Sequence, residues 1–154
     1  MNAALHIVLV EPEIPPNTGN IARLCACTGC ALHLVHPLGF DVGEKAVRRA
    51  GLDYWQYVDV HEHDSWQAVR RSLGEKRNWY GLSSKVKTGF RDVKYRPGDV
   101  LVFGPETRGL SQDILNDISP VTIPMREDAP VRSLNLANAC AIAMFEALRQ
   151  LETQ

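Results

Sequence analysis

Short apolar runs alternate along the chain with segments of helical character. Leu5–Val10, Ala31–Val35, Gln56–Val60, Asn78–Leu82, Val100–Phe103 and Val121–Ile123 are brief and β-prone, as buried strands are. Between them, Asn20–Thr28, Gly43–Ala50, Asp64–Leu73 and Gln112–Asp117 have helical composition. Asp64 with Gln67 reads as a capping box, and Ser111 precedes a first turn containing Asp113, both of them helix start signals. Strands apolar on both faces and separated by helices predict a parallel α/β sheet. A last helix, from about Leu134 to Leu151, is apolar almost all round as far as Phe145. A surface helix would carry one apolar stripe. This one must be covered on several sides, either by its own sheet or by a partner subunit as well.

Length and charge narrow the picture. A chain of 154 residues predicts one domain, 1–154, with a real core but little room for an added binding module. The net charge of −1 excludes a uniformly basic coat, so any nucleic-acid contact has to come from local patches. The apolar run at Leu5 stops at Glu11-Pro12-Glu13, too short for a signal peptide or a membrane span. A cytoplasmic protein with its four cysteines as thiols is expected. Cys25, Cys27 and Cys30, with His33 close behind, suggest a metal site. The first two fall in a predicted helix and point in different directions, so small buried thiols are the preferred reading and no metal is expected. The histidines are scattered along the chain, and none pairs with a nucleophile.

Neither G-x-G-x-x-G nor G-x-x-x-x-G-K-[ST] occurs, which weakens dinucleotide and nucleoside-triphosphate readings. Polar and glycine residues gather instead in three segments, each after a predicted strand, where open α/β sheets bind ligands. The first is Glu11 to Arg23, with three prolines and Asn17 as a plausible N-cap. Its helix would then offer free N–H groups and Arg23, on the second turn, to a phosphate; a capped helix with a surface arginine is the alternative. The second is Leu101 to Leu110, where Gly104 permits close approach of backbone to a ligand. Glu106 and Arg108 either neutralise one another or contact substrate. The third runs from Ile123 through Pro124 and Ser133 to Asn138. Ser133 is a good N-cap, and Asn135 and Asn138 share one helix face, bonding either the backbone or a ligand.

In combination the three are specific. N-T-G-N-I-A-R, then L-V-F-G-P-E-T-R-G-L, then I-P-M followed by R-S-L-N-L-A-N-A resemble the three motifs of the SPOUT RNA methyltransferases. E-P-E-I-P-P-N-T-G-N, R-R-A-G-L-D-Y-W and the terminal helix are similar to the minimal TrmL/YibK branch. The resemblance runs from about Leu5 to Leu151. It implies a Rossmann-like parallel sheet with a C-terminal deep trefoil knot, and a homodimer through the terminal helix. The implied cofactor is S-adenosylmethionine, with contacts at Leu82, Gly104, Ile123, Met125, Ser133 and Leu134. The implied reaction is methyl transfer to the ribose 2′-hydroxyl of the tRNA wobble nucleotide, a cytidine or modified uridine in the anticodon stem-loop. No membrane or DNA partner is implied. The implied catalytic residues are Arg23, Asn17, Ser133 and Asn135. Relatives have often been assigned a base at the position of Arg23, but an arginine has no acceptor site. Clamping the target phosphate and stabilising the developing alkoxide suit it better. Phe145 stands where relatives often carry a tyrosine and is not counted catalytic.

RNA contacts are expected from Arg23, Glu106, Arg108, Lys85, Lys87 and Arg91. The last three belong to a basic stretch that continues through Lys94 and Arg96, with Phe90 and Tyr95 interleaved. Such a stretch suits phosphates and stacking on an unpaired base, or is a solvated basic loop. Other readings are a methyltransferase for a different RNA site, a non-catalytic knotted RNA-binding scaffold, and a small α/β flavin or phosphate binder.

Overall fold

The computed structural model describes residues 2–40 and 52–153. The predicted helix Gly43–Ala50 lies outside the described residues. Six parallel strands form one sheet: β1 His6–Val10, β2 Ala31–Val35, β3 Val60–His63, β4 Trp79–Leu82, β5 Val100–Phe103 and β6 Ser119–Val121. Their order is β3-β2-β1-β5-β4-β6. The helices are α1 Pro15–Thr28, α2 Trp66–Leu73, α3 Gln112–Asp117 and α4 Leu136–Glu152, and a 3₁₀ helix spans Leu52–Tyr57.

Alternation along the strands builds two cores. Ile7, Leu9, Leu32, Leu34, Leu101 and Phe103 point to one face and meet Ile21, Cys25, Cys140 and Met144 of α1 and α4. Val8, Val10, Val35, Val100 and Val102 point to the other and meet Trp66, Val69, Ile114 and Leu115 of α2 and α3. Each such side chain, fully buried, contributes about 1.5–3 kcal/mol to the drive for folding. Because both faces are covered, the central strands read as unbroken apolar runs.

Several boundaries differ from those predicted. The strand expected at Gln56–Val60 begins only at Val60, and Gln56 and Tyr57 belong to the 3₁₀ helix. The real β3 is V-H-E-H at the sheet edge, where polar residues are tolerated and apolar patterning fails as a guide. Helix α2 is capped by Ser65, whose Oγ accepts from the Ala68 amide at 3.1 Å, so Asp64 and Gln67 form no capping box. Helix α1 starts at Pro15, with Pro15 and Pro16 in its first two positions, where the missing N–H costs nothing. Asn17 is therefore inside the helix, not its cap, and Arg23 lies on its third turn. Helix α4 is capped by Asn135, whose Oδ1 accepts from the Asn138 amide at 3.1 Å; Ser133 lies before the cap. One face of α4 buries Ala137, Cys140, Ala143, Met144 and Ala147, while Ile142 and Phe145 are exposed.

The segment between β4 and β5 lies across the exit of β6 and the end of α4. The Phe90 amide donates to the Thr122 carbonyl and the Thr122 amide to the Thr88 carbonyl, each at 2.8 Å. The Gln150 amide accepts from the Tyr95 N–H at 2.9 Å and donates to the Val93 carbonyl at 3.1 Å. Phe90 and Tyr95 are buried, and the Tyr95 hydroxyl donates to the Phe90 carbonyl at 2.6 Å. They are core residues of this segment, not stacking platforms for a base.

The histidines are not scattered in space. His6, His33, His61 and His63 share one sheet face across β1, β2 and β3. His33 Nε2 is 2.9 Å from His6 Nδ1, its Nδ1 is 2.9 Å from His63 Nε2, and its ring stacks on His61.

Candidate active site

Chain order reverses at β1: β2 and β3 lie to one side, β5, β4 and β6 to the other. A crevice at the carboxyl ends of strands beside such a switch is where open α/β sheets hold ligands. A cavity of about 520 Å³ opens there. Its floor is formed by Leu82 after β4, Phe103 and Gly104 after β5, and Thr122 and Ile123 after β6. Its walls are the 105–110 loop, Ser83 to Lys85, Met125, Arg132 to Leu136, and Ile14 with Asn17 from α1. All six sequence-predicted cofactor residues, Leu82, Gly104, Ile123, Met125, Ser133 and Leu134, line this one cavity. Asn17, Asn135, Glu106, Arg108 and Lys85 line it too. Arg23, Lys87 and Arg91 are exposed and are not among its lining residues.

The polar residues are tied into a network. Glu106 accepts the backbone amides of Glu13 and Ile14, each at 2.8 Å, one on each carboxylate oxygen. Its Oε2 also accepts from Asn17 Nδ2 at 3.2 Å. Asn17 Oδ1 in turn accepts from Asn135 Nδ2 at 3.1 Å. In the reverse direction Glu13 Oε1 accepts from the Thr107 amide at 2.9 Å and the Thr107 hydroxyl at 2.7 Å. These two bonds, the backbone one foremost, hold the Glu13 carboxyl below the usual range. The loops after β1, β5 and β6 are thus joined into one frame. Asn17 is buried and needs such partners, whereas Asn135 and Asn138 at the start of the apolar helix are exposed, so burial does not account for the amides there.

Two expectations change here. The start of α1 is not an open phosphate cradle, because Glu106 already accepts the amides of residues 13 and 14 and two prolines follow. Glu106 and Arg108 do not neutralise one another: Arg108 Nη2 lies 3.8 Å from Glu11 Oε1. Gly104 is required for packing. A Cβ there would come within 2.4 Å of the Gly109 carbonyl carbon and the Leu110 nitrogen, so the strand end lies against the backbone of the returning loop. Cys25 and Cys30 are buried thiols, as expected, whereas Cys27 is exposed. Burial pushes the Cys25 and Cys30 thiols upward. No histidine, cysteine and carboxylate group among the described residues is arranged to hold a metal.

Sequence reasoning missed Glu13, Thr107 and Arg132. Glu13 and Thr107 lie inside the quoted motifs, but nothing local says that they bond each other across 94 residues. Arg132 lines the cavity and donates to the Arg126 carbonyl, while Arg126 makes a two-pronged pair with Asp128.

A parallel α/β sheet with a cavity of mixed apolar and polar lining at its switch point has the form of a binding site for a medium-sized organic molecule. The model of the SpoU rRNA methylase family matches residues 4–145. A tRNA (cytidine(34)-2'-O)-methyltransferase of Saccharophagus degradans is 50% identical over 149 residues, 95% of each chain. The enzyme of the same name from Methylovorus glucosotrophus is 48% identical over 147 residues, 94% of each chain. A solved structure described as giving structural insights into the 2-OH methylation of C/U34 on tRNA superposes with a TM-score of 0.91 at 45% identity, covering 97% of each chain. The chain belongs to the SpoU rRNA methylase family.

Proposed function

We propose that this chain transfers the methyl group of S-adenosylmethionine to the ribose 2′-hydroxyl of the wobble nucleotide, position 34, of tRNA, at cytidine or modified uridine. The observation that carries this reading is the meeting, in one cavity, of the six residues expected to hold the cofactor, drawn from the end of β4, the segments after β5 and β6, and the stretch just ahead of α4. The relatives of matching length named for this reaction supply the target.

The cavity suits the cofactor chemically. Leu82, Ile123, Met125 and Leu134 offer apolar contact, and the strand ends offer main-chain N–H and C=O groups. A heteroaromatic ring can be held between apolar side chains and backbone in such a site. When bound, the cofactor supplies an electrophilic methyl group on a sulfonium. The chain's task is then to place the 2′-oxygen in line behind that methyl and to stabilise charge as the hydroxyl loses its proton, and positioning alone accounts for a large share of such a rate. Asn17, Ser133 and Asn135 orient the ribose from the cavity wall. Arg23 cannot accept a proton; exposed on α1 and outside the cavity lining, it clamps the target phosphate. Lys85, Lys87 and Arg91, all exposed, grip the anticodon stem-loop by its phosphates, and Arg108 adds a further cation beside the cavity. Glu106 meets the RNA only through the loop that it fixes.

The same reading makes residues 1–154 one methyltransferase domain with a C-terminal trefoil knot. The bonds from Thr122 to Thr88 and Phe90 fit a chain tucked beneath the 83–99 loop before it enters α4. Exposed Leu134, Ile142 and Phe145 fit a homodimer through that helix. A tRNA substrate and free cysteines fit a cytoplasmic enzyme. The test is transfer of tritiated methyl from S-adenosylmethionine to bulk tRNA, followed by mapping of the modified ribose. Label on a different ribose would overturn the target, and cofactor binding without transfer would favour the scaffold reading.

A further inference from the structure

We propose that Glu13 is a positioning residue for this reaction, acting through Thr107 to fix the cavity wall between Gly104 and Gly109. The inference rests on the reading that the cavity is where cofactor and ribose meet. Glu13 is not a lining residue, but Thr107 is. Adjacent residues Glu106-Thr107 and Glu13-Ile14 exchange four hydrogen bonds: Glu106 accepts the main-chain amides of Glu13 and Ile14, and Glu13 accepts the Thr107 amide and hydroxyl. Glu106 alone would anchor the start of α1. The second half of the exchange does something different: it seizes Thr107 in the middle of a loop bounded by glycines. Gly109 has φ +69°, a conformation that favours glycine, and the Pro105 carbonyl accepts the Arg108 and Gly109 amides at 3.2 and 2.8 Å; these bonds close the turn on itself, and Glu13 ties its central residue, Thr107, to the loop after β1. The wall is therefore held at its centre by Glu13. A misplacement of about 1 Å in such a wall can cost about a hundredfold in rate, so a partial loosening is expected to cost roughly tenfold.

The geometry sets an asymmetry between the two carboxylates. Both bonds at Glu13 fall on one oxygen, Oε1, and an amide carbonyl can accept both. Glu106 accepts with both oxygens, so a glutamine there would turn an NH₂ group toward a backbone N–H.

Four variants test this: Glu13→Ala, Glu13→Gln, Glu106→Gln and Thr107→Val. Each is assayed for kcat and KM with tRNA, for S-adenosylmethionine affinity by calorimetry, and for hydrogen exchange at the Thr107 amide. Glu13→Ala should lower kcat roughly tenfold with tRNA KM within about twofold, and should speed Thr107 exchange. Glu13→Gln should restore both, and Glu106→Gln should not behave like wild type. Thr107→Val, which loses only the hydroxyl bond, should lose about threefold and keeps the question answerable if Glu13→Ala fails to fold. Wild-type kcat in Glu13→Ala and Thr107→Val, or a Glu13→Gln as impaired as Glu13→Ala, overturns the proposal. A wild-type protein that binds no S-adenosylmethionine and transfers no methyl instead overturns the functional reading beneath it.

Discussion

The histidine chain across β1, β2 and β3 makes folding stability depend on pH in a range where few other groups titrate. His33 is buried and uses both ring nitrogens, toward His6 and His63. Burial foremost, then the neighbouring His6, His61 and His63 and the Arg77 cation, lower its pKa to about 3. Burial, Arg77 and His61 lower His6 to about 4 against a smaller opposing effect of Asp59. Burial and His61 lower His63, with Asp64 opposing. A histidine held neutral by the fold disfavours the proton that the unfolded chain accepts near pH 6.5. Its contribution is therefore complete above that pH and is lost as pH falls through 6.5 toward the folded values. At pH 5 the unfolded state is about 1.5 pH units below its own pKa, so His33 alone removes about 2 kcal/mol of stability. His6 is partly exposed, and solvent screening reduces its share to about 1 kcal/mol. Since folded domains have only about 5–15 kcal/mol in hand, a loss of roughly 3 kcal/mol is readily seen. The assay is urea unfolding between pH 7.5 and pH 5.0 at one fixed protein concentration, with His33→Phe beside the wild type. The variant should lose about 2 kcal/mol less between those two pH values, whatever its starting stability. Equal stability of the wild type at both pH values, or an unchanged slope in His33→Phe, would refute the reasoning.

Three other outcomes follow from the site. Arg23→Ala should abolish methyl transfer while S-adenosylmethionine binding survives, checked by tritium incorporation and calorimetry; near-normal turnover would remove Arg23 from the mechanism. Neutralising Lys85, Lys87 and Arg91 together should weaken tRNA binding and reduce the slope of log K against log salt by about 2–3, since each phosphate contact contributes roughly 0.7–0.9. Gly104→Ala should cost on the order of 1–3 kcal/mol, because its Cβ would meet backbone at 2.4 Å, and should weaken cofactor binding; unaltered melting and affinity would show that the 105–110 loop yields freely.

What could be read from the chain, and what could not, divides along a physical line. Strands β1, β2, β4 and β5 were legible because both faces are covered, so that local hydrophobicity and tertiary burial agree. The cavity was legible because three motifs end three strands of one sheet, and parallel strands bring their carboxyl ends together whatever the loops contain. The edge strand β3 was misplaced because it has a neighbour on one side only, and its His61 and Glu62 stay exposed. Phe90 and Tyr95 were misread because composition cannot say which side of a basic segment faces inward. The start of α1 was misjudged for a more informative reason. Asn17 looks like a cap, but the helix begins two residues earlier, at Pro15-Pro16, and carries no side-chain cap; Glu106, 92 residues beyond Ile14, accepts instead the Glu13 and Ile14 amides just ahead of it, while Asn17 turns to Asn135. Local rules fail where a distant group replaces a local one, and functional sites are where such replacement is expected. The failed reading at α1 is thus itself a pointer: a helix whose entering residues are bound by another loop has its position set by that loop. In this chain that means α1, with Asn17 and Arg23 on it, is placed relative to the cavity by Glu106, a residue of the cavity wall.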